Sequence, residues 1–158
     1  MRHSILTGLC FGLTSAVITT LGLIVGLHSF TGSRLVVIGG VLTIAIADAF
    51  SDALGIHVSE EAENVHTSKE IWESTLATFT AKSLFALTFI VPLLILDLSN
   101  AILVGIAWGM LTLAILSRAI AKIEKQKTWN VVAEHLAIAL IVVVLAHYVG
   151  DLISGTFS

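Results

Sequence analysis

Two aspartates lie one helical turn apart inside an apolar stretch of this chain. Asp48 and Asp52 are the only charged residues between Val36 and Ile56, and a spacing of four places both side chains on one face of a helix. An ionised carboxylate within hydrocarbon costs at least about 2.5 kcal/mol on insertion scales, so intramembrane carboxylates suggest a path for ions or protons. Carboxylate oxygens also suit hard or borderline divalent cations. The two residues therefore predict a transport path across a membrane.

Two structural explanations for the same pair stay open. The first is an ion pair with Lys82, which lies about two helical turns inside the third apolar stretch. The second is a polar contact between neighbouring helices that has no role in transport.

A second candidate site follows in the link Val58–Thr75, which is rich in acidic residues. If the second helix continues past His57, four carboxylates and an imidazole of this link form one stripe with Asp52, at spacings of three and four residues. The stripe consists of Glu60, Glu63, His66, Glu70 and Glu73. Such a set predicts capture of a divalent metal, and the imidazole favours Fe, Mn or Zn over Ca or Mg. A solvated acidic helix is the alternative, and Asn64 or Thr67-Ser68 can break the helix.

The fifth apolar stretch ends in another pair at helical spacing. His147 and Asp151 are four residues apart, and an imidazole within a span can carry protons near neutral pH. The pair is a candidate proton relay, and a hydrogen-bonded pair at the helix end is the favoured structural alternative. His147 lies about five turns from the depth of Asp52, which is too far to share a metal, so an intramembrane metal enzyme is disfavoured.

Five apolar stretches must position these residues. Each is long enough for a helix to cross a hydrocarbon core of roughly 30 Å, and only helices or closed barrels satisfy the backbone there. The predicted spans are Ile5–Leu27, Leu35–His57, Leu76–Leu96, Ala101–Ala121 and Val131–Ile153. Mean hydropathy is +1.00 and 12% of residues are charged, about half the share of a soluble domain. We expect an all-α, multi-pass integral membrane protein, with residues 1–158 forming a single membrane domain and the first span retained rather than cleaved.

Several other classes of protein are not indicated. The sequence has no HExxH motif, nucleophile elbow, Walker loop or GxGxxG fingerprint. Cys10 is the single cysteine, and the net charge of −3 leaves no basic footprint for nucleic acid. We therefore expect no enzyme, no permanently bound cofactor and no nucleic-acid partner.

Basic residues predict the orientation. Seven of the 8 lysines and arginines fall on one side of a five-span arrangement or near it, and only Arg34 falls on the other. The seven are Arg2, Lys69, Lys82, Arg118, Lys122, Lys125 and Lys127. The positive-inside rule then places the N-terminus and the acidic link in the cytoplasm and the C-terminus outside.

Small residues and one proline bear on helix packing. Glycines recur four residues apart in three spans, a pattern that permits close approach of helices. They are Gly8/Gly12, Gly22/Gly26 and Gly105/Gly109. Packing within the bundle is favoured over a dedicated dimer face. Pro92 predicts a kink in the outer part of the third span.

The order of several short motifs resembles the vacuolar iron transporter family. GLCFGLT at Gly8–Thr14 is similar to that family's first-span pattern G-x-x-D-G-L-T, and SDALG at Ser51–Gly55 is similar to its second-span S-M-G-L-G. The stretch Thr78–Leu94 is similar to its third span, and His147–Gly150 resembles its terminal segment. The resemblance implies a five-span dimer that exports Fe²⁺ or Mn²⁺ from the cytosol along a path between two protomers.

This chain departs from the family at the residues that contact the metal. Phe11 stands where the family's first span has an aspartate, Asp52 stands where its second span has a methionine, and Asp48 replaces a small residue. The link of about eighteen residues replaces the longer cytoplasmic insertion of plant and yeast members. Exchanging a thioether for a carboxylate favours Mn²⁺ over Fe²⁺. In a homodimer, Asp48, Asp52 and their symmetry mates would place four carboxylates around one axis.

The sequence thus predicts a transporter of a divalent transition metal, Fe²⁺ or Mn²⁺, in the cell membrane if the source is prokaryotic. Proton coupling through the carboxylates is an additional hypothesis. The alternative function is a membrane-embedded metal sensor or scaffold, which would bind metal at the acidic link and conduct none.

Overall fold

The computed structural model describes residues 3–157, and every regular element among them is helical. The elements are α1 (His3–Thr31), α2 (Arg34–Thr43), a π-helical segment (Ile44–Asp48), α3 (Ala49–Glu63), α4 (Ser68–Thr88), α5 (Ile90–Ile95), α6 (Leu98–Ile123) and α7 (Thr128–Phe157). Five helical stretches are long and apolar enough to cross a membrane: 3–31, 34–63, 68–95, 98–123 and 128–157. The all-α class is therefore confirmed, and the five predicted spans coincide with these five helical stretches. Arg2, used above for orientation, lies outside the described residues.

Hydrogen bonds between helices show which ends lie together. Ser4 near the start of α1 donates to Glu73 near the start of α4. At the other end of α1, the Ser29 hydroxyl lies 2.5 Å from Nδ1 of His147 in α7. The first and last described residues are consequently at opposite ends of the bundle.

The acidic link is two helices with a turn between them. The second span does continue past His57, but α3 ends at Glu63 because Asn64 adopts a left-handed conformation with φ of 54°. Thr67 then caps α4 in a reciprocal capping box with Glu70. The continuous stripe predicted for Glu60–Glu73 is wrong, because the turn redirects the chain between Glu63 and Ser68. Asn64 and Thr67 are two of the residues at which a break was expected.

Two spans are not regular α-helices throughout. In the second span the π-helical segment separates α2 from α3. The third span is interrupted at Phe89, between α4 and α5. Pro92 has no N–H to donate to the carbonyl of Thr88 four residues earlier, so the predicted kink is found as this interruption.

Helix α1 is the centre of the bundle, and the glycine pairs bring its neighbours close. A Cβ on Gly8 or Gly12 would meet the α4 backbone at Ser74 and Thr78, and a Cβ on Gly26 would meet α7 at Ala146. From α6, Gly105 and Gly109 receive Ile24 and Leu21 of α1. All three motifs pack within one chain, which confirms the favoured interpretation.

The tightest of these contacts gives a stability prediction. In Gly8→Ala the new Cβ would lie 2.3 Å from the Ser74 carbonyl oxygen and 2.8 Å from Ala77 Cβ, so α1 and α4 must separate. We expect a loss of about 1–3 kcal/mol, typical of overpacking, measured by unfolding in detergent. Gly39→Ala is the matched control: nothing lies within 4 Å of its Cβ, and alanine should stabilise the helix by up to about 1 kcal/mol. Equal stability of the two variants would contradict the close α1–α4 contact.

Candidate functional site

Asp48 and Asp52 meet a buried lysine. Lys82 Nζ of α4 lies 2.5 Å from Asp48 Oδ2 and 2.5 Å from Asp52 Oδ2. It also donates a hydrogen bond of 2.9 Å to Ser15 Oγ of α1. The ion pair that the sequence left open is thus present. We call Asp48, Asp52 and Lys82 the charge triad; their formal charges sum to −1.

The π-helical segment sets the direction of Asp48. At its end the Ala49 N–H bonds to the Ile44 carbonyl, five residues back, rather than to the carbonyl of Ala45. Ser83 Oγ of α4 donates to that Ala45 carbonyl at 2.6 Å. The one extra residue in this turn rotates the residues after it by about 100° relative to α2. This rotation points both aspartates towards α4. π-bulges occur frequently at functional sites.

The three charged side chains differ in exposure. Lys82 is fully buried, whereas the side chains of Asp48 and Asp52 are 37% and 20% exposed on the single chain. Asp48 Oδ2 has no aligned hydrogen-bond donor, despite its short distance to Nζ. The carboxylates therefore lie between the lysine and the outer surface of the second span.

A row of buried polar side chains connects the triad with one end of the bundle. Thr78 Oγ1 donates to the Gly8 carbonyl at 3.2 Å, and Thr75 Oγ1 lies 2.9 Å from His57 Nδ1. We call this row the polar seam; it consists of Ser4, Glu60, Ser74, Thr75, Thr78 and Lys82, all buried. From Ser74 to Lys82 it rises about 12 Å along α4. The seam gives the triad polar neighbours towards the turn at Asn64.

The five residues predicted to capture metal have separate surroundings. Glu60 is buried and accepts a hydrogen bond of 2.5 Å from Ser74 Oγ. Glu73 accepts one of 2.9 Å from Ser4, and Glu70 Oε2 accepts from the Thr67 backbone in the capping box. The remaining two, Glu63 and His66, contact each other at 3.3 Å.

These surroundings leave no ready-made metal cluster within one chain. Across residues 3–157, no three or more His, Cys, Asp or Glu side chains are grouped so that they could hold a metal ion. The set predicted from sequence therefore gathers at one end of the bundle, but not in one coordination site.

The predicted proton relay lies far from the charge triad. His147 Nε2 is 3.4 Å from Asp151 Oδ2, and both side chains are about half exposed. Two residues of α1 show the separation: Ser29, which contacts His147, and Ser15, which contacts Lys82, lie about 21 Å apart along the helix axis. His147 Nδ1 also contacts the Ser29 hydroxyl of α1, and the role of the pair as a proton relay stays a prediction. His135 of α7 lies 2.8 Å from Ser117 Oγ of α6.

Ser15 and Ser83 are contributors that the sequence did not identify. Ser15 contacts the triad lysine and Ser83 anchors the π-helical segment. Small polar residues are common in membrane helices, and no spacing distinguishes these two from the others.

No family model matches this chain, and no curated protein matches it.

Proposed function

We propose that this protein is a divalent transition-metal transporter, exporting Fe²⁺ or Mn²⁺ from the cytosol, with the charge triad as its intramembrane site. The observation that carries the proposal is that Asp48 and Asp52 lie partly exposed on the surface of an apolar span while a fully buried lysine contacts both. The resemblance of the motifs to vacuolar iron transporters supports the choice of substrate.

A purely structural role would not require this arrangement. Replacing a buried ion pair by apolar residues of similar volume is often neutral or stabilising by about 1–4 kcal/mol, so stability alone is a weak reason to keep three charges in a span. A structural pair would also gain from full burial, whereas more than a third of the Asp48 side chain is exposed. An exposed carboxylate in a span requires a water-filled path or a covering partner.

A second copy of the chain is the proposed cover. Large apolar side chains surround the aspartates on the exposed face of the second span: Ile46, Phe50 and Leu54 are each more than half exposed. A twofold contact there would shield these side chains and bring two copies of Asp48 and Asp52 to one axis. The proposal is thus a homodimer with four carboxylates along a shared path.

The proposed orientation places the turn at Asn64 in the cytoplasm. Lys69, Lys122, Lys125 and Lys127 all lie at that end, as the positive-inside rule requires. The polar seam and the acidic residues Glu60, Glu63, Glu70 and Glu73 lie there as well, together with His66. In this proposal the acidic residues attract cations by their summed field rather than by coordinating one ion. Unchanged metal affinity after their replacement by glutamine would reject that role.

Metal uptake into inside-out proteoliposomes tests the proposed function. Fe²⁺ and Mn²⁺ are measured in parallel against protein-free vesicles, and uptake above that background supports transport. Absence of uptake by folded protein that still binds metal would instead favour the sensor or scaffold. Uptake that is indifferent to an imposed pH gradient would reject proton coupling.

A further inference from the structure

Lys82 occupies the position that a cation between the two aspartates would take. Its Nζ lies 2.5 Å from one oxygen of each carboxylate and 2.9 Å from Ser15 Oγ. An ammonium has three N–H donors and no acceptor; Lys82 donates to Asp52 Oδ2 and Ser15 Oγ and forms an ion pair with Asp48 Oδ2. A divalent metal bridging the same oxygens would compete with Nζ for this position.

The lysine also changes the charge that an incoming metal meets. Two carboxylates alone would neutralise a divalent cation, whereas the triad carries −1. Because Lys82 is buried behind Asp48 and Asp52, its positive charge cannot turn away into water. Unit charges a few ångströms apart in a protein interact far more strongly than in bulk water, so the lysine must weaken metal binding considerably.

We propose that Lys82 is a resident counter-cation that sets the metal affinity of the site. Without metal it holds the two carboxylates together, and with metal bound it opposes tight retention. Conduction requires a site that binds strongly enough to admit an ion and weakly enough to release it. This inference rests on the proposed function, and assigns to Lys82 the tuning of that same site.

Lys82→Leu tests the proposal, because leucine removes the charge at similar volume and adds no metal ligand. Mn²⁺ affinity is measured in purified detergent-solubilised protein from the electron paramagnetic resonance signal of free Mn²⁺. We expect binding at least about 100-fold tighter than in wild type, with slower maximal uptake in proteoliposomes. Lys69→Leu is the matched control: it makes the same substitution at an exposed lysine of the same helix, outside the charge triad, and its affinity should stay within about threefold.

Two further measurements test the proposal in case Lys82→Leu folds poorly. Mn²⁺ should raise the unfolding temperature of Lys82→Leu more than that of wild type, because tighter binding to the folded state gives more stabilisation at the same concentration. Adding Asp52→Asn to Lys82→Leu returns the net charge to −1, and the affinity gain should disappear.

Unchanged or weaker Mn²⁺ binding by folded Lys82→Leu, while wild type transports Mn²⁺, would overturn the role of Lys82 and leave the transporter intact. If neither wild type nor the variant binds or moves Mn²⁺ or Fe²⁺, the proposed function itself fails, and this inference fails with it.

Discussion

Replacing Asp48 and Asp52 together by asparagine is expected to reduce Mn²⁺ uptake at least about 100-fold. The double variant changes the net charge of the triad from −1 to +1, so an entering cation meets only the lysine. Unit charges 4 Å apart interact by about 4 kcal/mol at an effective dielectric of 20, and each 1.4 kcal/mol is about tenfold. The measurement is uptake by inside-out proteoliposomes that contain matched amounts of folded protein.

Asp97→Asn is the matched control for this double variant. Asp97 also lies in a helical context, as the cap of α6, and accepts hydrogen bonds from Asn100. These bonds lower the pKa of the Asp97 carboxyl, and asparagine is an equally good cap. Uptake by Asp97→Asn should therefore equal that of wild type. Undiminished uptake by the folded double variant would remove Asp48 and Asp52 from the path.

The five spans could be predicted from sequence because hydropathy depends on composition alone. Most predicted ends fell short of the helix ends, however: the first span was placed at Ile5–Leu27, while α1 runs over His3–Thr31. Backbone hydrogen bonding continues a helix beyond the apolar residues, until a cap or a left-handed residue ends it. Asn64 and Thr67 are such signals, and the break in the acidic link follows from them.

The geometry of the charge triad could be predicted only in part. The i, i+4 spacing of Asp48 and Asp52 indicated a shared face, and Lys82 was recognised as a candidate partner. No feature of the sequence Ile44–Asp48 predicts a π-helical turn, because the segment contains no glycine or proline. The hydrogen bond from Ser83 to Ala45 accompanies that turn, and such a tertiary contact is not visible in a local pattern.

The packing of the glycine pairs could also be predicted only in part. Their spacing permits close packing but does not identify the partner helix. In the structure Gly8 and Gly12 pack against α4, and Gly105 and Gly109 pack against α1. Consequently these motifs say nothing about a dimer, and the exposed face around Asp48 is the remaining argument for one.

The second large effect expected is on stability. The double variant Asp48→Asn/Asp52→Asn leaves Lys82 buried without a counter-charge, and removing one partner of a buried ion pair typically costs about 3–5 kcal/mol. Adding Lys82→Leu removes the unpaired charge. We expect this triple variant to recover most of the loss, since apolar replacement of buried ion pairs is often neutral or stabilising. Unfolding in detergent of wild type, Lys82→Leu, the double variant and the triple variant, compared side by side, gives the coupling energy directly.

The triple variant also separates function from folding. If the charge triad serves transport, the triple variant should be about as stable as wild type and still fail to move Mn²⁺. If the triple variant is as unstable as the double variant, the loss of stability does not come from an unpaired charge on Lys82. That result would contradict the ion pairs that the short Nζ–carboxylate distances indicate. A stable triple variant with wild-type uptake would make the triad a dispensable structural pair. We predict a triple variant that is stable and inactive. A purely structural role cannot produce this combination, because an ion pair that serves only stability could not be removed without loss of stability.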